Sequence, residues 1–175
     1  MKIELVADWQ LKYKAGQAYV YTLGSEDRKL IDKKFHELYN QERLQWTTKA
    51  TPFSFPCFVI WKRTVDNIGA VRRKGRVVID IRALNQITLR DAYPIPTQAD
   101  IIFAVASCKF MSTIDCASFF YQWKIAKDHQ HKLTVASYRR QETFNCAVMD
   151  FRNSPAYVQR IIDTILRQER GFARA

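Results

Sequence analysis

Two β-forming runs joined by a charged, glycine-containing link constrain this chain more than any other feature. Pro52 and Pro56 stop a helix and introduce Phe58-Val59-Ile60-Trp61, an apolar run typical of a buried strand. A second run, Arg76-Val77-Val78-Ile79-Asp80-Ile81-Arg82, follows a segment rich in charge that contains Gly69 and Gly75. The pair predicts a long antiparallel hairpin with Arg72, Arg73 and Lys74 at its tip. Lys62 follows the first strand and Arg76 begins the second, so pairing places both cations at one end, where a triphosphate can be gripped. The tip cluster suits a phosphate backbone better than a specific base. A solvated rim is the competing reading of all these cations.

Around the hairpin, the chain alternates helix and strand without the order of a parallel βαβ series. Residues 1–24 have mixed polarity, contain Gly16 and Gly24, show no period, and read as an extended lead-in. Ser25 offers an N-cap with Glu26 and Asp27 in the first turn, and Leu30, Ile31, Phe35, Leu38 and Tyr39 recur at helical spacing, predicting a helix to about Gln41. A short helix over Ala99 to Ala106 precedes a strand, Phe110 to Asp115, with a further helix starting near Ser118. Strands at about Lys132 to Ser137 and Thr143 to Met149 flank a turn at Arg139-Arg140. Ser154 caps a last helix, with Pro155 in its first turn and Val158, Ile161, Ile162, Ile165 and Leu166 on one apolar stripe. The fold class is α+β in one domain, with no internal repeat.

The charge balance narrows the partners. Twenty-eight Lys and Arg against seventeen Asp and Glu give a net charge of +11 and a pI near 9.7. Such an excess attracts a polyanion, nucleic acid first, although charge alone is also compatible with a solvated basic surface. Cys57, Cys108, Cys116 and Cys146 form no Cys-x-x-Cys pair, which signals neither a disulfide framework nor a zinc site and fits a reducing, intracellular setting. The sequence contains no apolar run of membrane-spanning length, so no membrane partner is expected.

Asp115 ends a predicted strand, a place where a hard divalent cation is often held, and the Cys116 carbonyl beside it offers a second oxygen. An ordinary polar strand end is the alternative. Phe119-Phe120-Tyr121 with Gln122-Trp123 reads as core, and His36, His129 and His131 lack the spacing of a zinc site. No Ser-His-Asp constellation or phosphate-binding glycine loop is present.

The order of the pieces resembles the reverse transcriptase of gypsy-type long-terminal-repeat retrotransposons, particularly fungal ones, over about Leu23 to Ala175. The segments that carry the resemblance begin with Pro52-Phe53-Ser54-Phe55-Pro56, Phe58 to Lys62, Gly75 to Asn85 and Asp91-Ala92-Tyr93-Pro94-Ile95-Pro96. Met111 to Trp123 and Phe151 to Arg160 follow in the same order. The resemblance implies a right-hand polymerase, fingers and an incomplete palm, acting on an RNA or DNA primer-template and deoxynucleoside triphosphates with two Mg²⁺ ions. It implies that Asp115 is the first palm aspartate and that the Cys116 carbonyl is a metal ligand. Lys62 and Arg76 match the triphosphate-gripping cations, and Phe120 matches the aromatic gate against a ribose 2′-hydroxyl. Met149, Arg152 and Asn153-Ser154-Pro155 match the segment near the nucleotide and template.

The family continues after a segment like Phe172-Ala173-Arg174-Ala175 with Tyr-Val-Asp-Asp, which this sequence lacks. The chain is therefore expected to be truncated before the remaining catalytic aspartates, to bind Mg²⁺ weakly or not at all, and to be inactive alone. A non-catalytic nucleic-acid-binding module and an inert relic are the alternatives. Arg140 and Asp150 stand where the family usually has glycine, and Tyr138 where it has histidine. If those glycines serve positive φ, the replacements are strained and a decaying copy is expected. Oligomeric state is not legible in the sequence.

Overall fold

The computed structural model describes residues 1–14, 19–65, 69–169 and 171. Gly16 of the lead-in and the Phe172 to Ala175 segment lie outside the described residues. The helices are α1 (Trp9–Lys12), α2 (Ser25–Asn40), α3 (Arg82–Ile87), α4 (Gln98–Val105) and α5 (Ser154–Ile165). Strands β1 (Leu44–Trp46), β2 (Phe55–Val65), β3 (Val71–Ile79), β4 (Thr134–Ser137) and β5 (Arg140–Phe144) form one sheet in the order β1-β5-β4-β2-β3. Every neighbouring pair is antiparallel except β2 and β4, where Phe55 lies beside Val135 and Pro56 beside Ala136. The α+β class stands, with this one parallel pair as an unanticipated junction between the hairpin and the β4–β5 unit.

Helix α2 buries Ile31, Phe35 and Leu38 at the spacing its apolar stripe predicts. Its cap is Gly24, one residue before the expected Ser25, and the Asp27 carboxylate accepts the Gly24 amide at 3.3 Å. Asn153, likewise one residue before the expected Ser154, precedes α5, and Pro155 occupies its first turn. The Asn153 side chain is committed elsewhere: Nδ2 donates to the Leu89 carbonyl at 2.7 Å, and Oδ1 accepts the Asp91 amide at 3.1 Å. Along α5, Ala156 and Val158 are buried, whereas Ile165 at the end of the stripe is exposed.

Several sequence expectations change. The lead-in carries the helical turn α1 and buries Ile3 completely, because residues 4–6 hydrogen-bond to residues 87–89. The cations expected at the hairpin tip lie within β3, since Val65 pairs with Val71 and the strands extend past them. Arg82 starts α3 instead of ending a strand, its amide and guanidinium both bonded to the Asp80 carboxylate. The strand expected at Phe110 to Asp115 is absent: residues 111–116 have no pairing, and Phe110, Met111 and Ile114 are 86%, 68% and 90% exposed. A strand needs a hydrogen-bonded neighbour, and among the described residues none lies beside this run.

The last hairpin turns at Tyr138-Arg139, closed by the pair Ser137 and Arg140. This geometry puts Arg140 at φ 128°, and Asp150 further on has φ 64°. Both positions thus carry the positive φ that would explain glycine there. Beneath the turn, Glu142 is fully buried, accepting from Tyr39 at 3.2 Å and Ser137 at 3.4 Å and pairing with Arg139 at 3.2 Å. Burial pushes its carboxyl above the usual range, against the pull of the Arg139 charge.

Candidate functional site

The β2–β3 register decides which hairpin cations act together. Lys62 pairs with Lys74, Ile60 with Arg76 and Phe58 with Val78, so these residues share one face, because cross-strand partners and every second residue point the same way. Arg72 joins them opposite Thr64, whereas Arg73 and Trp61 lie on the other face. That other face is pinned to α2: the Trp61 indole donates to Asp27 at 2.7 Å, and Arg73 sits 4.9 Å above the indole and 3.9 Å from Glu26. Gly75 permits the approach, since a Cβ there would fall 2.4 Å from Leu30 Cδ2 and 2.9 Å from Trp61 Cζ3. With one face docked, the cationic face is left to solvent, and Lys62, Lys74 and Arg76 are all exposed.

Lys62 directly opposite Lys74 is an unfavourable like-charge pair in the free protein. Among the described residues no carboxylate or carbonyl bonds to the side chains of Lys62, Lys74 or Arg76. The geometry suits an anion spanning both strands. At the base of the same face Phe58 meets the edge of Tyr21 at 5.3 Å, and Tyr21 meets Tyr19 at 4.9 Å, with Tyr19 60% exposed. This aromatic ladder was missed in the sequence, although the alternation Tyr19-Val20-Tyr21 is its trace.

A second cluster forms where the chain leaves β5. Asn85 Nδ2 donates to the Asp150 carbonyl at 2.7 Å, and Asn85 Oδ1 accepts the Arg152 amide at 2.8 Å. The Arg152 guanidinium reaches the Thr88 carbonyl at 3.4 Å, while Met149 is 52% exposed. Arg152, Arg90, Tyr93, Ile95 and Pro155 line a cleft of about 290 Å³. Its floor is braced by Asp91, whose carboxyl is held below the usual range by Arg160 at 2.7 Å. Arg160 also lies 4.6 Å over the Tyr93 ring.

Asp115 and Cys116 lie in the exposed stretch 111–118, and among the described residues no hydrogen bond or ion pair ties their side chains to either cluster. Phe120 follows in a short 3₁₀ turn, Phe119–Gln122, half-buried and 6.0 Å from Phe119. The aromatic run is only partly core, since Tyr121 and Phe119 are also half-buried. For magnesium, Asp115 brings one carboxylate and Cys116 one carbonyl. Among the described residues no group of three His, Cys, Asp or Glu side chains converges to hold a metal. This donor set does not fit two Mg²⁺ ions, whose charge requires further carboxylates.

No family model matches the sequence. The hairpin and mixed sheet define a reverse-transcriptase fold: a crystal structure of a prototype foamy virus protease-reverse transcriptase mutant aligns with a TM-score of 0.70. That alignment, at 19% identity, covers 89% of this chain and 20% of the viral one. In sequence, the chain is 31% identical over 147 residues to the retrovirus-related Pol polyprotein from transposon 297 of Drosophila melanogaster, covering 84% of this chain. It is 30% identical over 121 residues, 69% of its length, to that from transposon gypsy of the same organism. Its homologues are thus Pol polyproteins of gypsy-type long-terminal-repeat retrotransposons, and with the shared fold they support a retrotransposon reverse transcriptase. The chain spans 13% and 12% of the lengths of those two relatives. Among the described residues no helix is long and apolar enough to cross a membrane.

Proposed function

We propose that this chain supplies the fingers and adjoining palm surface of an RNA-directed DNA polymerase and acts by binding a primer-template and a deoxynucleoside triphosphate. The observation that carries the proposal is the exposed cationic face of the hairpin, where Lys62, Lys74 and Arg76 stand in register on two strands and have no anionic partner among the described residues. Lys62 and Arg76 grip the triphosphate, and Arg72, Arg73 and Lys74 serve the nucleic-acid backbone. Arg73 is the weakest of these, because it is already engaged with Trp61 and Glu26. The Tyr19–Tyr21–Phe58 ladder offers a stacking surface to unpaired bases beside the cations. Phe120 crowds the sugar, Met149 lies beside the nucleotide, and Arg152 faces the template across its cleft. Asp115 and the Cys116 carbonyl are the oxygen donors this chain offers to magnesium. Nucleotidyl transfer is not expected from these donors alone.

A salt titration of primer-template binding tests this reading. The slope of log K against log salt should become shallower by about 0.7 to 0.9 for each phosphate-contacting cation removed, in Arg72→Ala, Arg73→Ala and Lys74→Ala, least in Arg73→Ala. Binding with no salt dependence, or unaffected by all three substitutions, favours an inert relic instead. Magnesium-dependent primer extension that disappears in Asp115→Asn would overturn the restriction to binding.

A further inference from the structure

The first turn of α5 leaves hydrogen-bond donors unused beside a cleft that two arginines line. Asn153 stands at the cap position, yet its side chain accepts no amide of its own helix. Its Nδ2 donates to the Leu89 carbonyl and its Oδ1 accepts the Asp91 amide, so the two bonds bracket Arg90. Within the turn, the Ser154 amide donates back to the Phe151 carbonyl and the Tyr157 amide to the Asn153 carbonyl, both at 3.0 Å, while Pro155 has no N–H. The Ala156 N–H is the donor that remains, and among the described residues it has no acceptor. The Ser154 hydroxyl of the same turn, in a residue only 1% exposed, has no hydrogen-bond partner among them either.

Ala156 lines the cleft together with Arg90, Arg152 and Pro155. Arg90 is exposed, and among the described residues no acceptor bonds to its guanidinium. Arg152 reaches the Thr88 carbonyl through one N–H and keeps the other donors of its fork. Asp91, the carboxylate on the cleft, is already engaged by Arg160 at 2.7 Å and by the Tyr93 amide at 3.1 Å. A helix start with a free amide carries partial positive charge and suits a phosphate, and the two guanidiniums add full charges. Tyr93, Ile95 and Pro155 give the same cleft apolar walls, which suit a sugar attached to the phosphate better than a bare ion.

We propose that Asn153 is a positioning residue that builds a seat for one backbone phosphate of a nucleic-acid strand. It fastens the backbone around Arg90 to the start of α5, where Arg90, Arg152 and the Ala156 N–H take the phosphate oxygens. The seat rests on the primer-template reading above. To that reading it adds Arg90, and it gives a reason for an asparagine ahead of Ser154 that does not cap its own helix.

Primer-template binding is titrated with salt for the natural chain, Arg90→Ala, Arg90→Lys and Asn153→Ala. Arg90→Ala should make the slope of log K against log salt shallower by about 0.7 to 0.9, the share of one phosphate contact, and Arg90→Lys should restore most of it. Asn153→Ala should also make the slope shallower although it removes no charge, and adding Arg90→Ala to it should bring no further full step. A purely structural asparagine would lower stability, leave the slope unchanged and overturn the positioning role. A single neutral methylphosphonate, moved along each strand in turn, should reach one position that weakens the natural chain and leaves Arg90→Ala indifferent; finding no such position overturns the seat. If Asn153→Ala does not fold, the Arg90 variants and the methylphosphonate series decide. An unchanged slope in Arg90→Ala, while Arg72→Ala and Lys74→Ala still lower it, overturns the seat alone. Binding without salt dependence in the natural chain sinks the primer-template reading and the seat with it.

Discussion

Arg140 and Asp150 both have positive φ, but the strain they carry is unequal. Asp150 at 64° sits near the left-handed well at about 57°, which Asp tolerates better than most residues. Arg140 at 128° lies far from that well and closes a two-residue turn. Arg140→Gly is therefore expected to stabilise the chain by about 1 kcal/mol, and Asp150→Gly by less, measured by urea unfolding. Equal or opposite effects would show that the turn has relaxed around Arg140. Glu142 gives a second test at this scale. Burial raises its folded-state pKa above the ordinary 4.5, so the folded chain holds the proton more tightly than the unfolded chain. Stability should consequently rise as pH falls through the raised value toward 4.5, and the cost of the buried charge is present above it. In Glu142→Gln this slope should vanish; an unchanged slope between about pH 5 and about pH 8 would assign it to another group.

The hairpin shows how far sequence reasoning reaches at the level of an element. Its two strands were legible because β-branched runs bounded by Pro and Gly have few alternative folds. Its register was not, because a period of two fixes alternation without fixing which residues face each other. Hence Lys62 and Arg76 were expected at one strand end, and they are neighbours two positions apart within the arms. Asp115 shows the same boundary: the apolar run before it has strand composition, but pairing is a property of the neighbour. The caps shifted by one residue because Gly24 and Asn153 precede residues that are themselves good caps. What the local sequence did encode is the docking of the hairpin on α2, through Gly75. Gly75→Ala should separate hairpin from helix and cost about 1 to 3 kcal/mol. Leu30 can turn away, but Trp61 is held by Asp27 and stacked under Arg73. Trp61 is only one of four tryptophans, so its release is read from the indole proton bonded to Asp27 by NMR. A retained indole bond with unchanged stability would mean that Leu30 absorbs the whole overlap.

Across the whole molecule two surfaces compete, and salt acts on them with opposite signs. The hairpin is cationic, whereas the stretch from α4 onward is apolar and exposed: Ile102 at 59%, Phe103 at 86%, Phe110 at 86% and Ile114 at 90%. Helix α4 buries none of its residues, although Thr97 and Asp100 cap it reciprocally. Apolar surface left in water drives association at about 25 cal/mol per Å² covered, opposed here by a net charge of +11 on each copy. Screening shortens the reach of that repulsion to about 8 Å at physiological ionic strength. The free chain should therefore self-associate more as salt rises, while the proposed binding of nucleic acid should weaken over the same range. Phe103→Lys combined with Phe110→Lys should suppress the association in sedimentation velocity and leave the unfolding free energy within about 0.5 kcal/mol, because neither side chain enters the core. If association persists in that variant, the open edges at β1 and β3 become the contact, and salt-dependent nucleic-acid binding at the β3 side should then compete with it directly.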